Sequence, residues 1–158
     1  MKVKKKSQLQ EKSVAKDLDA QTVIASGALW GSKGDVRHED FLVECKITEK
    51  SSYSLTMKVW EKIEKEAIKD GLRLPLMCVD TENGKYRFAV FLEKDFKHYD
   101  TYPYLYVGDN CCCSGKSFQV YGPCRVIMLN VKNKRGEAQV FIVTPWDDFL
   151  YMLKGGVK

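Results

Sequence analysis

Residues 41–48, Phe-Leu-Val-Glu-Cys-Lys-Ile-Thr, leave the chain few ways to fold. In a strand, successive side chains alternate between two faces. Phe41, Val43, Cys45 and Ile47 then form one apolar row directed at a core, and Leu42, Glu44, Lys46 and Thr48 form the other. A charged pair in so apolar a strand costs free energy unless it is paired or has a use. The fold must therefore bury one side of this strand and build something around Glu44 and Lys46 on the other.

Around that strand the chain alternates helical and strand-like patterns. Residues 7–20 predict a first helix, with Glu11, Val14, Ala15 and Leu18 on one face. Thr22–Ala25 is a short β-prone run, followed by the Gly/Ser loop 26–34. Asp35-Val36 and Phe41–Thr48 predict two strands joined by the polar turn 37–40. Leu55, Val59, Ile63 and Ala67 recur every four residues, predicting a helix over 54–70 that Gly71 ends. Leu76–Val79 and Tyr86–Leu92 are expected strands, joined at the Asn83-Gly84 turn. From about 100 to 125 the pattern weakens. Val126–Val131 and Ala138–Val143 predict another hairpin, and Thr144-Pro145 predicts the capped start of a last helix. The sum is a single α/β domain over 1–158, with a central mixed β-sheet flanked by helices. Its core spans about 8–92, and a C-terminal hairpin and helix follow at about 95–158.

An antiparallel return at the 37–40 turn brings Asp35 beside Glu44. Two carboxylates so placed repel each other, and a divalent cation relieves the repulsion. Hard oxygen donors favour Mg²⁺, with Mn²⁺ as a substitute. Asp35 and Glu44 are therefore candidate metal ligands, and Lys46 is placed to orient a water or to stabilise charge on a phosphate. Glu11, on the buried face of the first helix, is a further catalytic candidate, as a ligand directly or through water. The other reading of the same residues is a surface hairpin with a cross-strand ion pair, worth little to stability.

The stretch Ser26–Ala67, from SGALWGSKGDVRHEDFLVECK to EKEA, resembles the PD-(D/E)xK nuclease superfamily, above all archaeal-type Holliday junction resolvases and their phage-encoded relatives. The likeness runs over roughly residues 8–92. The family's helical glutamate, its aspartate after a glycine and its Glu-x-Lys strand fall on Glu11, Asp35, Glu44 and Lys46. The resemblance implies a restriction-endonuclease-like αβββαβ core and a metal held also by the Cys45 backbone carbonyl. It implies a homodimer that binds four-way DNA junctions and nicks two strands symmetrically, leaving 5′-phosphate ends. It also implies a serine in the loop before Asp35, where Ser26 and Ser32 both lie. Family members often carry an arginine before this serine, where this chain has Ile24-Ala25. The same core also serves nucleases that act on flaps, ends or duplex, and a non-catalytic DNA-structure-binding module is a further alternative.

The net charge is +5, with Lys2, Lys4, Lys5 and Lys6 at the start, compatible with phosphate-backbone binding or with a solubilising tail. Lys33, Arg37, Lys50 and Lys58 cluster near the proposed site in sequence and are candidate phosphate contacts. Trp30 either stacks on a base or anchors the core, and His38 lies beside Asp35. The run Cys111-Cys112-Cys113 lacks the ligand spacing of a structural zinc site. Cys45, Cys78 and Cys124 sit in or beside apolar runs and are expected to stay thiols. No apolar run reaches the roughly 18–20 residues of a membrane span, and no apolar segment follows the first lysines, so a cytoplasmic protein is expected.

Overall fold

The computed structural model describes residues 3–23, 34–96, 117–121, 127–132 and 135–155. Helix α1 (Val3–Asp17) begins inside the lysine run, so the basic segment is the helix's own first turns from Val3 onward. The short strands β1 (Gln21–Thr22) and β2 (Val36–Arg37) lead into β3 (Phe41–Ile47). Next come β4 (Ser52–Thr56), α2 (Met57–Lys69), β5 (Leu74–Thr81) and β6 (Tyr86–Leu92). The chain ends with β7 (Ser117–Tyr121), β8 (Ile127–Lys132), β9 (Ala138–Pro145) and α3 (Trp146–Leu153).

Seven strands form one mixed sheet in the order β1-β2-β3-β5-β6-β9-β8. β3 and β5 run parallel, with Cys45 opposite Cys78, and α2 crosses between them. The remaining neighbours are antiparallel. Helices flank the sheet, as the alternation of patterns predicts. The C-terminal hairpin continues the same sheet, since Val90 on β6 pairs with Val143 on β9.

Both faces of the sheet are covered. On one, α1 and α3 bring Val14, Ala15, Leu18, Trp146 and Phe149 against Phe41, Val43, Cys45, Leu76, Cys78 and Phe91. On the other, Trp60 and Ile63 of α2 and Leu55, Phe118 and Val120 pack on Met77, Val79, Phe88, Val90 and Phe141. Leu55, Phe118 and Val120 belong to a two-stranded ribbon, β4 with β7, in which Tyr53 faces Val120.

That ribbon corrects the expected helix over 54–70. Residues 54–56 are extended, and the helix starts at Met57 behind Thr56, whose hydroxyl accepts from the Val59 N–H. The last helix is also displaced. Strand β9 runs through buried Thr144, and α3 starts after Pro145 without a side-chain cap. Ladder bonds to β6 hold Thr144 in the strand and outweigh its capping tendency. At Asn83-Gly84 the chain does turn, with both residues at positive φ.

Candidate active site

The site begins where β2 gives out. Val36 pairs with Val43, the last pair of that antiparallel register, and Asp35 comes just before it, with its carboxylate within electrostatic reach of Glu44. The Asp35 N–H donates to the Val43 carbonyl at 2.9 Å, and its own carbonyl accepts from the Val23 N–H at 2.9 Å. Gly34 makes the approach possible. Its φ is +79°, and a Cβ there would lie 2.7 Å from Leu42 Cδ1.

Past Val36 no strand covers this edge of β3 among the described residues. The Cys45 N–H, left without a ladder partner, donates to Asp35 Oδ2 at 2.7 Å. A residue's N–H and C=O point to the same edge of a strand, so the Cys45 carbonyl shares the gap with Asp35. Glu44 and Lys46 lie on the face that carries α2 and the β4–β7 ribbon. Lys46 Nζ donates to Glu44 Oε1 at 2.5 Å, with the Glu44 side chain only 15% exposed and that of Lys46 35%.

The electrostatics follow from this crowding. Burial, then the charge of Glu44, raise the Asp35 pKa from 3.8 to about 6, against the Cys45 hydrogen bond that lowers it. Glu11 adds to the rise, so α1 delivers a third carboxylate within electrostatic reach. Glu11 is half-buried, with Oε1 accepting from Ser7 Oγ at 2.9 Å. For Lys46, burial works against the ammonium, but the hydrogen bond and charge of Glu44, helped by Asp35, hold its pKa above the ordinary value. Lys46 is a fixed cation at neutral pH and has no free pair with which to act as a base.

Two residues enter that the sequence did not single out. Gln10, on α1, is 3% exposed, and its Nε2 donates to the Lys46 carbonyl at 3.0 Å. Tyr53 stands half-buried on β4; burial, with the Glu44 charge, raises its pKa, while nearby Lys46 opposes the rise. The helical stripe containing Val14 and Leu18 marks α1 as buried, which was the available signal for Gln10. Nothing local marks Tyr53, because β4 owes its place to β7, more than 60 residues on.

The candidate phosphate contacts separate. Lys50 is exposed just beyond β3, at the end of the strand that carries Lys46. Arg37 instead forms a two-pronged ion pair with Asp70 at 2.6 and 2.8 Å, and Arg73 joins the same carboxylate. That pair closes the C-terminal end of α2 onto β2. His38 lies toward the other end of β3, stacked on Phe41 and accepting from the Asp40 N–H. Ser26, Trp30, Ser32, Lys33, His98, Cys111–Cys113 and Cys124 lie outside the described residues.

The donor set suits a hard dication. Asp35 and Glu44 press like charges together, and the Cys45 carbonyl adds a neutral oxygen on the same edge. No three metal-ligating side chains converge among the described residues. An ion here would therefore complete its shell with water and substrate phosphate, as Mg²⁺ ordinarily does with one or two carboxylates. None of the described helices is long and apolar enough to cross a membrane.

No protein-family model matches the chain, and no curated protein does. Among solved structures it is similar to the 1.6 Å structure of Archaeoglobus fulgidus Hjc, a Holliday junction resolvase from an archaeal hyperthermophile. The identity is 15%, the TM-score 0.44, and the match covers 71% of this chain and 84% of that one. A likeness at that distance assigns the chain to no family.

Proposed function

We propose that the chain is a metal-dependent endodeoxyribonuclease that binds branched DNA and nicks it symmetrically, as a Holliday junction resolvase. The reading is carried by the Asp35 carboxylate, which accepts from the Cys45 N–H at 2.7 Å within reach of the Glu44 charge, with Lys46 held at 2.5 Å from Glu44. A merely structural ion pair needs one acid and one base. Here a second, half-buried carboxylate is pressed against the pair and its proton affinity rises, which costs stability and calls for a functional reason.

Asp35, Glu44 and the Cys45 carbonyl would hold Mg²⁺ or Mn²⁺, with Glu11 reaching it through water. When bound, the ion supplies a Lewis acid for the scissile phosphate. Lys46 remains protonated, orients the attacking water and offsets the negative charge that builds on the phosphate. Lys50, with Ser26, Ser32 and Lys33 of the loop before Asp35, would contact the DNA backbone and set its position without reading bases. Arg37 stays with Asp70. Two matched nicks require a two-fold homodimer.

The test is cleavage of a labelled four-way junction and of linear duplex of the same sequence, with Mg²⁺ and with EDTA, by wild type and Asp35→Asn. Paired nicks in the junction alone, dependent on metal and lost in the variant, are expected. Equal cutting of both substrates would keep the hydrolysis and discard the preference for junctions. No cutting, with junction binding retained, would replace the enzyme by a DNA-structure-binding module.

A further inference from the structure

Gln10 is a buried polar side chain next to the site, 3% exposed, and its burial is incompletely compensated. Its amide nitrogen donates to the Lys46 carbonyl at 3.0 Å and reaches the Cys78 carbonyl at 3.5 Å and the Cys78 Sγ at 3.9 Å. Its Oε1 has no hydrogen-bond partner among the described residues. Turning the amide over would not help, because only the NH₂ end can serve carbonyl oxygens. An apolar side chain of the same length would remove the stranded acceptor and pack equally well. A buried orphan of this kind costs stability, and positions that break a local rule at such a cost cluster at functional sites.

What Gln10 does is geometric. It reaches β3 and β5 together, at Lys46 and Cys78, and ties both to α1. The next residue on α1 is Glu11, whose charge acts on Asp35. One turn of helix therefore sets both the backbone of the lysine and the third carboxylate. We propose that Gln10 is a positioning residue, holding the Lys46 peptide in register with α1 so that the Lys46–Glu44 pair and Glu11 face one phosphate. The inference rests on the nuclease reading for its consequence, though not for the contact itself.

Gln10→Met tests it, since methionine matches the shape and lacks the donor. Two measurements on this variant separate the possible failures. In the cleavage assay, kcat falls by about tenfold or more with KM for the junction little changed, while the thermal midpoint stays level or rises. Cleavage within about twofold of wild type, or a kcat loss that tracks a falling midpoint, overturns the proposal. Amide hydrogen exchange in metal-free buffer needs no cleavage. Exchange at Cys45 and Lys46 accelerates by about tenfold, the worth of one buried hydrogen bond, while β6 amides keep their rates. Unchanged exchange at Cys45 and Lys46 overturns the clamp even if wild type proves to cut nothing, and inactive wild type with accelerated exchange indicts the nuclease reading alone.

Discussion

Asp35→Asn should make the metal-free protein more stable. The carboxylate is half-buried and faces Glu44, so keeping it ionised opposes folding. An acid whose folded pKa is raised holds its proton more tightly in the folded state. Wild type therefore loses stability as pH climbs from 3.8 to about 6, and the loss is complete above that. At about 1.4 kcal/mol per pH unit the ceiling is about 3 kcal/mol. Solvent reaches part of this side chain and screens the repulsion, which brings the figure to about 1–2 kcal/mol. Asparagine carries no charge yet keeps the oxygen that accepts from the Cys45 N–H. Urea unfolding in EDTA at pH 8 should show the variant ahead by that amount, or about 3–6 °C in Tm. Near pH 4 the difference should vanish, because Asp35 is then neutral in wild type as well. Mg²⁺ should raise the midpoint of wild type and leave the variant's in place. A variant no more stable at pH 8, or equally favoured at pH 4, would refute the like-charge argument.

Two further substitutions probe the frame around the site. Asp70→Ala removes the carboxylate that Arg37 and Arg73 share and should cost about 2–3 kcal/mol, measured by urea unfolding, whereas Lys62→Ala, which takes a largely exposed ammonium 3.8 Å from the buried Glu66, should cost less. Gly34→Ala combines a left-handed backbone with a collision against Leu42 and should cost about 2–4 kcal/mol; a double-mutant cycle with Leu42→Val should recover part of that loss, and strict additivity would show that no collision occurs.

How far these features were legible follows from how local their causes are. The alternation in 41–48 placed β3 and the facing of Glu44 and Lys46, since a period of two is written into the residues themselves. The return that pairs Val36 with Val43 needs only a short turn, and Asn83-Gly84 marks its own hairpin. By contrast, Ser52–Thr56 read as the front of α2 because nothing in those five residues reveals Ser117–Tyr121 as their partner. Thr144 has a capping side chain, yet its backbone is claimed by β6. Arg37 looked like a phosphate contact because Asp70, thirty-three residues away, was not visible as its counter-charge. Gln10 could be seen only as the neighbour of Glu11; its hold on Lys46 appears once α1 is laid across β3 and β5.

The sheet order carries a consequence for how the chain comes off the ribosome. β3, β5 and β6 can assemble with α1 and α2 once residue 92 has emerged, and the acid–lysine cluster lies wholly within that portion. The outer edge of β6 then waits for β9, about fifty residues later, with Phe88, Val90 and Leu92 lacking Phe118, Val120 and Phe141 of their cluster in the meantime. A strand edge flanked by such residues recruits other strands. Synthesis slowed by cold should shorten the crowding of such half-made sheets and raise the soluble yield, and a stop codon placed before residue 138 should leave a product with its site residues in place and a strong tendency to aggregate.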